Sequence, residues 1–139
     1  MKKGIRVIMS FDFGTKNIGI AIGQEITCTS ETLFSLKAND GNPNWKELDD
    51  LVLEWKPDLF VVGDPLNMDG SNSEIKILSD KFAKKIINRY KIPLEFVDER
   101  LTSKEAANII DEKKKKDLAI KDIHQLSAKI ILDDWFRRI

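Results

Sequence analysis

The stretch from Ile18 to Gly23 alternates isoleucine with glycine or alanine, and this alternation limits the possible folds more than any other feature of the chain. A period of two residues is that of a β-strand, whose successive side chains point to opposite faces of a sheet. One face of this strand is apolar, whereas the face of Gly19, Ala21 and Gly23 is kept small. Small residues at such positions indicate that another part of the structure approaches the strand closely.

The patterns around this strand predict a mixed α/β domain. The segment Arg6–Phe13 has apolar residues on both faces, as in a strand covered on both sides, and a third extended stretch runs from about Ile26 to Leu36. Helical spacing then alternates with short apolar strands, which indicates parallel strands joined by right-handed crossovers. We therefore expect a single domain over residues 1–139, with a five-stranded mixed sheet flanked by helices and with its first three strands antiparallel.

Capping residues mark the expected helix boundaries. Asn44 opens a helix that Lys56 and Pro57 end, and Ser71 and Thr102 open two later helices. Asp122 is predicted to be the N-cap of the last helix. The three tryptophans lie on apolar helical stripes, which predicts core positions for all of them: Trp45, Trp55 and Trp135.

Composition limits the possible partners and location. The chain has 23 basic and 23 acidic residues, so its formal net charge is zero and any nucleic-acid site must be a local patch. Its one cysteine, Cys28, allows no intrachain disulfide, which fits a reducing compartment. No apolar stretch is long enough for a membrane helix, and no signal peptide is expected. These features predict a cytoplasmic protein without a membrane partner.

Carboxylates at strand ends are the candidates for chemistry. Asp12 lies near the end of an apolar strand, where a carboxylate costs several kcal/mol unless it is paired, hydrogen-bonded or metal-bound. It is either a turn-forming residue or a metal ligand. Asp98 and Glu99 leave a later strand at its carboxyl end, where α/β sheets usually keep their sites, and Arg100 beside them suits a phosphate. The alternative for these three is a surface ion cluster.

A second phosphate site is suggested by the turn-rich segment 63–71, which links a strand to a helix N-terminus. Backbone N–H groups at such a position suit an anion. The alternative is a plain strand-to-helix connection.

Three segments together resemble the YqgF (RuvX) family. Asp12–Ala21 is similar to the opening motif of that family, Val61–Gly70 to its second signature and Asp98–Thr102 to its third. They occur in the family's order, with family-like spacing, over nearly the whole chain. The resemblance implies an RNase H-like fold and a nuclease that matures the 5′ end of precursor 16S ribosomal RNA. The family's other name reflects a similarity to Holliday-junction resolvases.

The resemblance also implies roles for individual residues. Asp12 would be the metal ligand of the first strand, and the second ligand would come from the third motif, with Glu99 preferred over Asp98. The implied cofactor is Mg²⁺ or Mn²⁺, used as a pair of ions that activate water and stabilise the leaving oxygen. Four residues are candidates for contacts with substrate phosphates: Lys16, Asn67, Arg100 and Thr102.

Two positions depart from the family pattern. His124, the only histidine, stands where members carry an aspartate near the start of the last helix, and it shares a helix face with Ala128 and Ile131 that should point inward. It is a metal ligand, a catalytic acid–base group, or a packed, hydrogen-bonded histidine in a catalytically weakened protein. Asp64 replaces an apolar residue of the second signature, either as a compensating carboxylate or as an ordinary loop residue.

Three functions follow as alternatives. The first is a metal-dependent nuclease whose partner is nucleic acid, either precursor ribosomal RNA, with a pre-ribosomal particle as its setting, or branched DNA as in a resolvase. The second is an RNA-binding ribosome-assembly factor with a weakened active site, which His124 motivates. The third is a fragment of the sugar-kinase and actin-like superfamily. We disfavour the third, because those proteins close two such domains around a nucleotide. The sequence does not indicate the oligomeric state.

Overall fold

A mixed sheet with helices on both faces forms the centre of the fold. The structure is a computed structural model, and it describes residues 6–64, 74–98 and 120–138, except for the side chains of Asp64, Asp98 and residues 120–123. The strands are β1 (Val7–Asp12), β2 (Asn17–Gln24), β3 (Thr29–Asn39), β4 (Asn42–Pro43), β5 (Leu59–Asp64) and β6 (Leu94–Asp98). The helices are α1 (Trp45–Trp55), α2 (Glu74–Tyr90) and α3 (Ile120–Arg138).

The strand order within the described residues is β4-β3-β2-β1-β5-β6. Strands β1 to β3 pair antiparallel, and β5 and β6 continue the sheet in parallel with β1, as the sequence predicted. The predicted number of five strands was wrong, because a sixth strand, β4, pairs with the end of β3. The chain reverses there at Asp40 and Gly41, which both have positive φ angles of 52° and 86°. An Asp-Gly pair favours such a two-residue hairpin turn.

Two apolar cores cover the two faces of the sheet. The first joins β1, β2 and β5 to α1 and α2, and its fully buried residues include Phe11, Leu48 and Phe82. The second packs α3 against the other face and includes Ile8 and Leu132. Strand β1 therefore contributes buried side chains to both faces, which confirms that the segment 6–13 is covered on both sides.

The small face of β2 lies directly under α3. A Cβ atom added at Gly19 would lie 2.1 Å from the carbonyl carbon and oxygen of His124, and one added at Gly23 would lie 2.9 Å from Leu132 Cδ2. Ala21 belongs to the core that α3 covers. The prediction that another element approaches this face closely is confirmed, and that element is α3.

The capping predictions are partly confirmed. Asn44 is the N-cap of α1 and accepts a hydrogen bond from the Glu47 backbone N–H, and α1 ends at Lys56 in a left-handed conformation just before Pro57. The N-cap prediction for Asp122 was wrong, because α3 already includes Ile120 and Lys121. An aspartate is favourable in the first turn of a helix through the macrodipole, so it does not mark the cap. The predicted caps Ser71 and Thr102 lie outside the described residues.

The tryptophan prediction holds for two of the three residues. Trp135 is buried at 4% exposure and Trp45 packs against the first core, whereas Trp55 is 37% exposed. Trp55 is the last residue of α1, where the chain turns away from the sheet at Lys56. Within the described residues, no helix is long and apolar enough to cross a membrane.

Candidate active site

Asp12 is the last residue of β1 and lies on the face of the sheet that α3 covers. Two positions earlier on the same face, the fully buried Ser10 donates a hydrogen bond of 2.7 Å to the Ala128 carbonyl of α3. The Asp12 side chain is 14% exposed, and its Oδ2 lies 2.7 Å from Nδ1 of His124. The structure therefore brings two of the predicted site residues into direct contact, although they are 112 positions apart.

Glycines of the opening motif make room for His124. The helix backbone at His124 passes over Gly19, which is the pairing partner of Asp12 on the neighbouring strand. A Cβ added at Gly14 would lie 3.1 Å from Cε1 of the imidazole. Because any side chain at Gly19 would push α3 away, this part of the motif seats the histidine beside the carboxylate.

The contact sets the protonation of the imidazole. An ionised carboxylate only accepts hydrogen bonds. Nδ1 of His124 therefore carries the hydrogen and donates a hydrogen bond to Asp12. This hydrogen bond raises the pKa of His124 above its ordinary value, burial opposes the shift, and the charge of Asp12 adds to it. His124 is thus hydrogen-bonded to Asp12, and its roles as a metal ligand, a catalytic acid–base group or a packed histidine of a weakened protein stay predictions.

The carboxyl ends of three parallel strands meet at the edge of the sheet that contains Asp12. Phe11 pairs with Val62 of β5. Two residues further along β5, Asp64 pairs with Asp98 of β6. Adjacent strands are about 4.8 Å apart, so the backbones of β1 and β6 are about 10 Å apart at this edge. The backbone of Asp98 is thus placed near Asp12, whereas Glu99 lies just outside the described residues.

The predicted phosphate contacts are mostly beyond the described part of the chain. Lys16 is exposed in the turn between β1 and β2, and its carbonyl accepts a hydrogen bond from the Ala38 N–H. Asn67, Arg100 and Thr102 lie outside the described residues, as Glu99 does.

The described residues hold no group of three or more potential metal ligands. Asp12 is one potential ligand among them. His124 contacts its Oδ2, and no described residue donates a hydrogen bond to its Oδ1. A sheltered carboxylate oxygen of this kind suits Mg²⁺ or Mn²⁺, which prefer oxygen ligands.

Ser10 and Gly14 are the contributors that the sequence interpretation did not include. The signal for Ser10 was a hydroxyl in an apolar strand, two residues before Asp12 and so on the same face. Gly14 belonged to the recognised motif, but its role depends on a helix more than 100 residues later, which no local pattern predicts.

Comparisons with known proteins identify the family of this chain. Residues 6–138 match the RuvX family model, which is described as a Holliday junction resolvase. A relative from Pseudoalteromonas translucida is 48% identical over 135 residues, covering 96% of this chain and 91% of that protein. A relative from Aeromonas hydrophila is 47% identical over 131 residues, covering 94% of each chain. Both carry the name "Putative pre-16S rRNA nuclease".

Solved structures with a similar fold include RuvC and a viral Holliday junction resolvase. RuvC of Thermus thermophilus aligns with a TM-score of 0.56 at 12% identity, covering 95% of each chain. The Fowlpox virus resolvase in complex with Holliday junction DNA aligns with a TM-score of 0.60 at 14% identity, covering 95% of this chain and 97% of that one. These alignments confirm the predicted RNase H-like fold.

Proposed function

The chain belongs to the RuvX family, and from this premise we propose that it is a divalent-metal-dependent endonuclease that processes the 5′ end of precursor 16S ribosomal RNA. The family membership and the names of its relatives support the nuclease activity and the RNA substrate. The observation in this chain that carries the proposal is Asp12, a sheltered carboxylate at the carboxyl edge of the sheet, held by His124 through one oxygen only. An enzyme acting on ribosomal RNA would work in the cytoplasm.

Asp12 and Glu99 are the proposed metal ligands. The resemblance of Asp98–Thr102 to the family's third motif supports Glu99 as the partner of Asp12 and leaves Asp98 as a secondary catalytic candidate. Mg²⁺ or Mn²⁺ bound by these carboxylates would supply activation of water and stabilisation of the leaving oxygen.

We propose that His124 acts on Asp12 by orienting it. The imidazole fixes the rotamer of the carboxylate through Oδ2 and leaves Oδ1 directed elsewhere. The residues Lys16, Asn67, Arg100 and Thr102 remain the proposed contacts to phosphates, where they would position the substrate without reading its sequence.

The hydrogen bond between His124 and Asp12 also favours a second candidate function. A hydrogen-bond donor on the carboxylate competes with a metal ion for it, so the same contact fits an RNA-binding assembly factor whose turnover is weakened. Such a protein would bind precursor RNA but would not cleave it, whichever divalent metal is supplied, and His124→Asp would restore cleavage.

Cleavage of a labelled precursor-like RNA in Mn²⁺ or Mg²⁺ tests the first proposal. Asp12→Asn should abolish cleavage while the circular dichroism spectrum stays unchanged. Asp50→Asn is the matched control, because Asp50 is an exposed aspartate on α1 and should leave the rate unchanged. Cleavage that survives Asp12→Asn would exclude this residue as a ligand. Cleavage of a four-way DNA junction in preference to RNA would favour the resolvase alternative.

Asp64 can be tested in the same assay. Its backbone ends β5 opposite Asp98, close to the proposed site. If Asp64 compensates for the aspartate that His124 replaces, Asp64→Asn should slow metal-dependent cleavage. An unchanged rate would make it an ordinary residue of the strand end.

A further inference from the structure

The outer face of α2 carries a row of polar and positively charged residues that the proposed active site does not use. Lys84 and Lys85 are adjacent, and each lies three or four residues from both Lys81 and Asn88, so the four residues share one face of the helix. All four are exposed, and we call them the α2 stripe. The opposite face of the helix, which includes Phe82, is buried in the first core.

Charge is segregated between the two helices on this side of the sheet. Residues 81–91 include five basic residues and no acidic one, although the whole chain has equal numbers of each sign. Helix α1 has the opposite balance, with one lysine and four carboxylates. Although the net charge of the chain is zero, this part of α2 has a basic surface. Nucleic-acid binding by a neutral chain requires a local patch of this kind.

Helix stability does not account for the α2 stripe. Like charges four residues apart, as at Lys81 and Lys85, destabilise a helix by a few tenths of a kcal/mol. The helix macrodipole favours cations only in the last turn, and the three lysines of the stripe precede that turn. Within the described part of the chain, the side chains of Lys81 and Lys84 form no ion pair or hydrogen bond. Their charge is therefore available to an external partner.

A shallow, open depression includes the end of the stripe. It is lined by Trp45, Lys85, Asn88 and Arg89. Arg89 is held in place by two hydrogen bonds to Asp49, of 2.7 and 2.6 Å, and stacks over Trp45 at 5.1 Å. Lys85 is also held, by a hydrogen bond of 2.9 Å from its Nζ to Asn42 Oδ1. The depression thus presents positively charged side chains in fixed positions, an arrangement that suits a phosphate group of a polyanion.

We infer that the α2 stripe binds the sugar–phosphate backbone of the RNA substrate, away from the position of cleavage. This inference rests on the proposed function, because that function supplies the RNA. Helix α2 lies on the face of the sheet opposite α3. At a rise of 1.5 Å per residue, Lys81 and Lys85 lie about 10 to 17 Å along the axis of α2 from its first residue. The surface is therefore separate from Asp12 and His124.

The test compares two triple variants of the full chain in RNA binding without divalent metal, so that no cleavage occurs. The first variant is Lys81→Gln, Lys84→Gln and Lys85→Gln. The control is Lys37→Gln, Lys46→Gln and Lys56→Gln, which removes the same charge from exposed positions elsewhere. Binding of a fluorescent RNA hairpin is measured by anisotropy over a range of salt concentrations, and circular dichroism checks the fold.

We expect the stripe variant to bind RNA about tenfold more weakly at low salt. We also expect the plot of log K against log salt concentration to have a slope shallower by about two to three, because each lost phosphate contact removes roughly one released counterion. The control should bind nearly as the unmodified chain does. Equal losses in both variants would reduce the effect to net charge and overturn the inference.

Two further outcomes separate this inference from the proposed function. If the unmodified chain cleaves RNA and the stripe variant binds it equally well, the inference fails and the proposed function stands. If the unmodified chain binds no RNA, both fail. Binding to vesicles containing anionic phospholipid, with no binding to RNA, would assign the stripe to a membrane surface and overturn the inference.

Discussion

Two fully buried serines differ in whether their hydroxyl groups are satisfied. Ser10 on β1 donates to the Ala128 carbonyl and thereby ties α3 to the strand that ends in Asp12. Ser79 on α2 is equally inaccessible, but its Oγ has no hydrogen-bond partner among the described residues. A hydroxyl removed from water without a partner costs about 1–3 kcal/mol, so these two residues should respond to the same substitution in opposite directions.

Replacing Ser79 with alanine should stabilise the protein. The change removes an unsatisfied hydroxyl and introduces a better helix former, and we expect a gain of about 1 kcal/mol in the free energy of unfolding. Urea denaturation measures it. Ser10→Ala is the matched control and should lose about 1 kcal/mol, because it breaks a buried hydrogen bond. A loss of stability in Ser79→Ala would show that the hydroxyl is satisfied in solution.

At this scale, the sequence predicted residues whose chemistry conflicts with their surroundings. Asp12 was identifiable because a carboxylate in an apolar strand needs a partner, and His124 because it is the only histidine and faces inward. The contact between them was not predictable, because it depends on where α3 crosses the sheet. Whether Asp12 shares a metal with Glu99 stays a prediction, since Glu99 lies outside the described residues.

Among the elements, the contact of β2 with α3 was the best predicted and the hairpin of β3 with β4 the least. The isoleucine–glycine alternation of β2 implied a close neighbour, since period-two patterns report directly on the faces of a strand. By contrast, β4 has only two residues, Asn42 and Pro43, too few for any periodicity. Its signal was the Asp40–Gly41 turn, which is a matter of backbone conformation rather than of hydrophobic pattern.

Replacing Gly19 with alanine tests the close contact of β2 with α3. The added Cβ would lie 2.1 Å from the backbone carbon and oxygen of His124, so α3 must shift away from the sheet. We expect a loss of about 3 kcal/mol or more, at the upper end of overpacking costs. In NMR spectra the imidazole resonances of His124 should move as its hydrogen bond to Asp12 lengthens. Unchanged stability and resonances would mean that α3 packs further from β2 than the structure shows.

The contact of α1 with α2 should depend on pH. Hydrogen bonds from Arg89, and then from Tyr90, lower the pKa of Asp49 to about 2. Because the pKa in the folded chain lies below the ordinary value near 4, the stabilisation is fully present above about pH 4 and is lost as the pH falls towards 2. Burial raises the pKa of Tyr90, and the hydrogen bond to Asp49 raises it further.

Asp49→Asn should therefore lower the free energy of unfolding at neutral pH and bring it close to that of the unmodified chain near pH 2. Asp49 is about one-third exposed, so solvent screening limits the loss to about 1 kcal/mol. Urea denaturation at several pH values gives the comparison. Asp50→Asn, at an exposed neighbouring position, is the control and should change stability little at any pH. If the free energies of unfolding of Asp49→Asn and the unmodified chain differ by the same amount at every pH, Asp49 is not the source of the pH dependence.

In the molecule as a whole, one sheet separates a core shared with α1 and α2 from a core shared with α3, and the proposed functions divide in the same way. Asp12 and His124 lie on the α3 side, whereas the α2 stripe lies on the other. Because β1 contributes to both cores, displacement of either helix layer should disturb the strand that ends in Asp12. The proposed metal site is thereby linked to the stability of the entire domain.

This linkage predicts that divalent metal raises the melting temperature through Asp12. A ligand present at about 100 times its Kd, and bound only by the folded chain, stabilises it by about 2.7 kcal/mol. For a domain of this size that corresponds to an increase of several degrees. We expect Mn²⁺ to raise the melting temperature of the unmodified chain and of Asp50→Asn, measured by differential scanning calorimetry. Asp12→Asn should show no increase, because it lacks the carboxylate charge that the cation needs. An equal increase in Asp12→Asn would place the bound metal elsewhere in the protein.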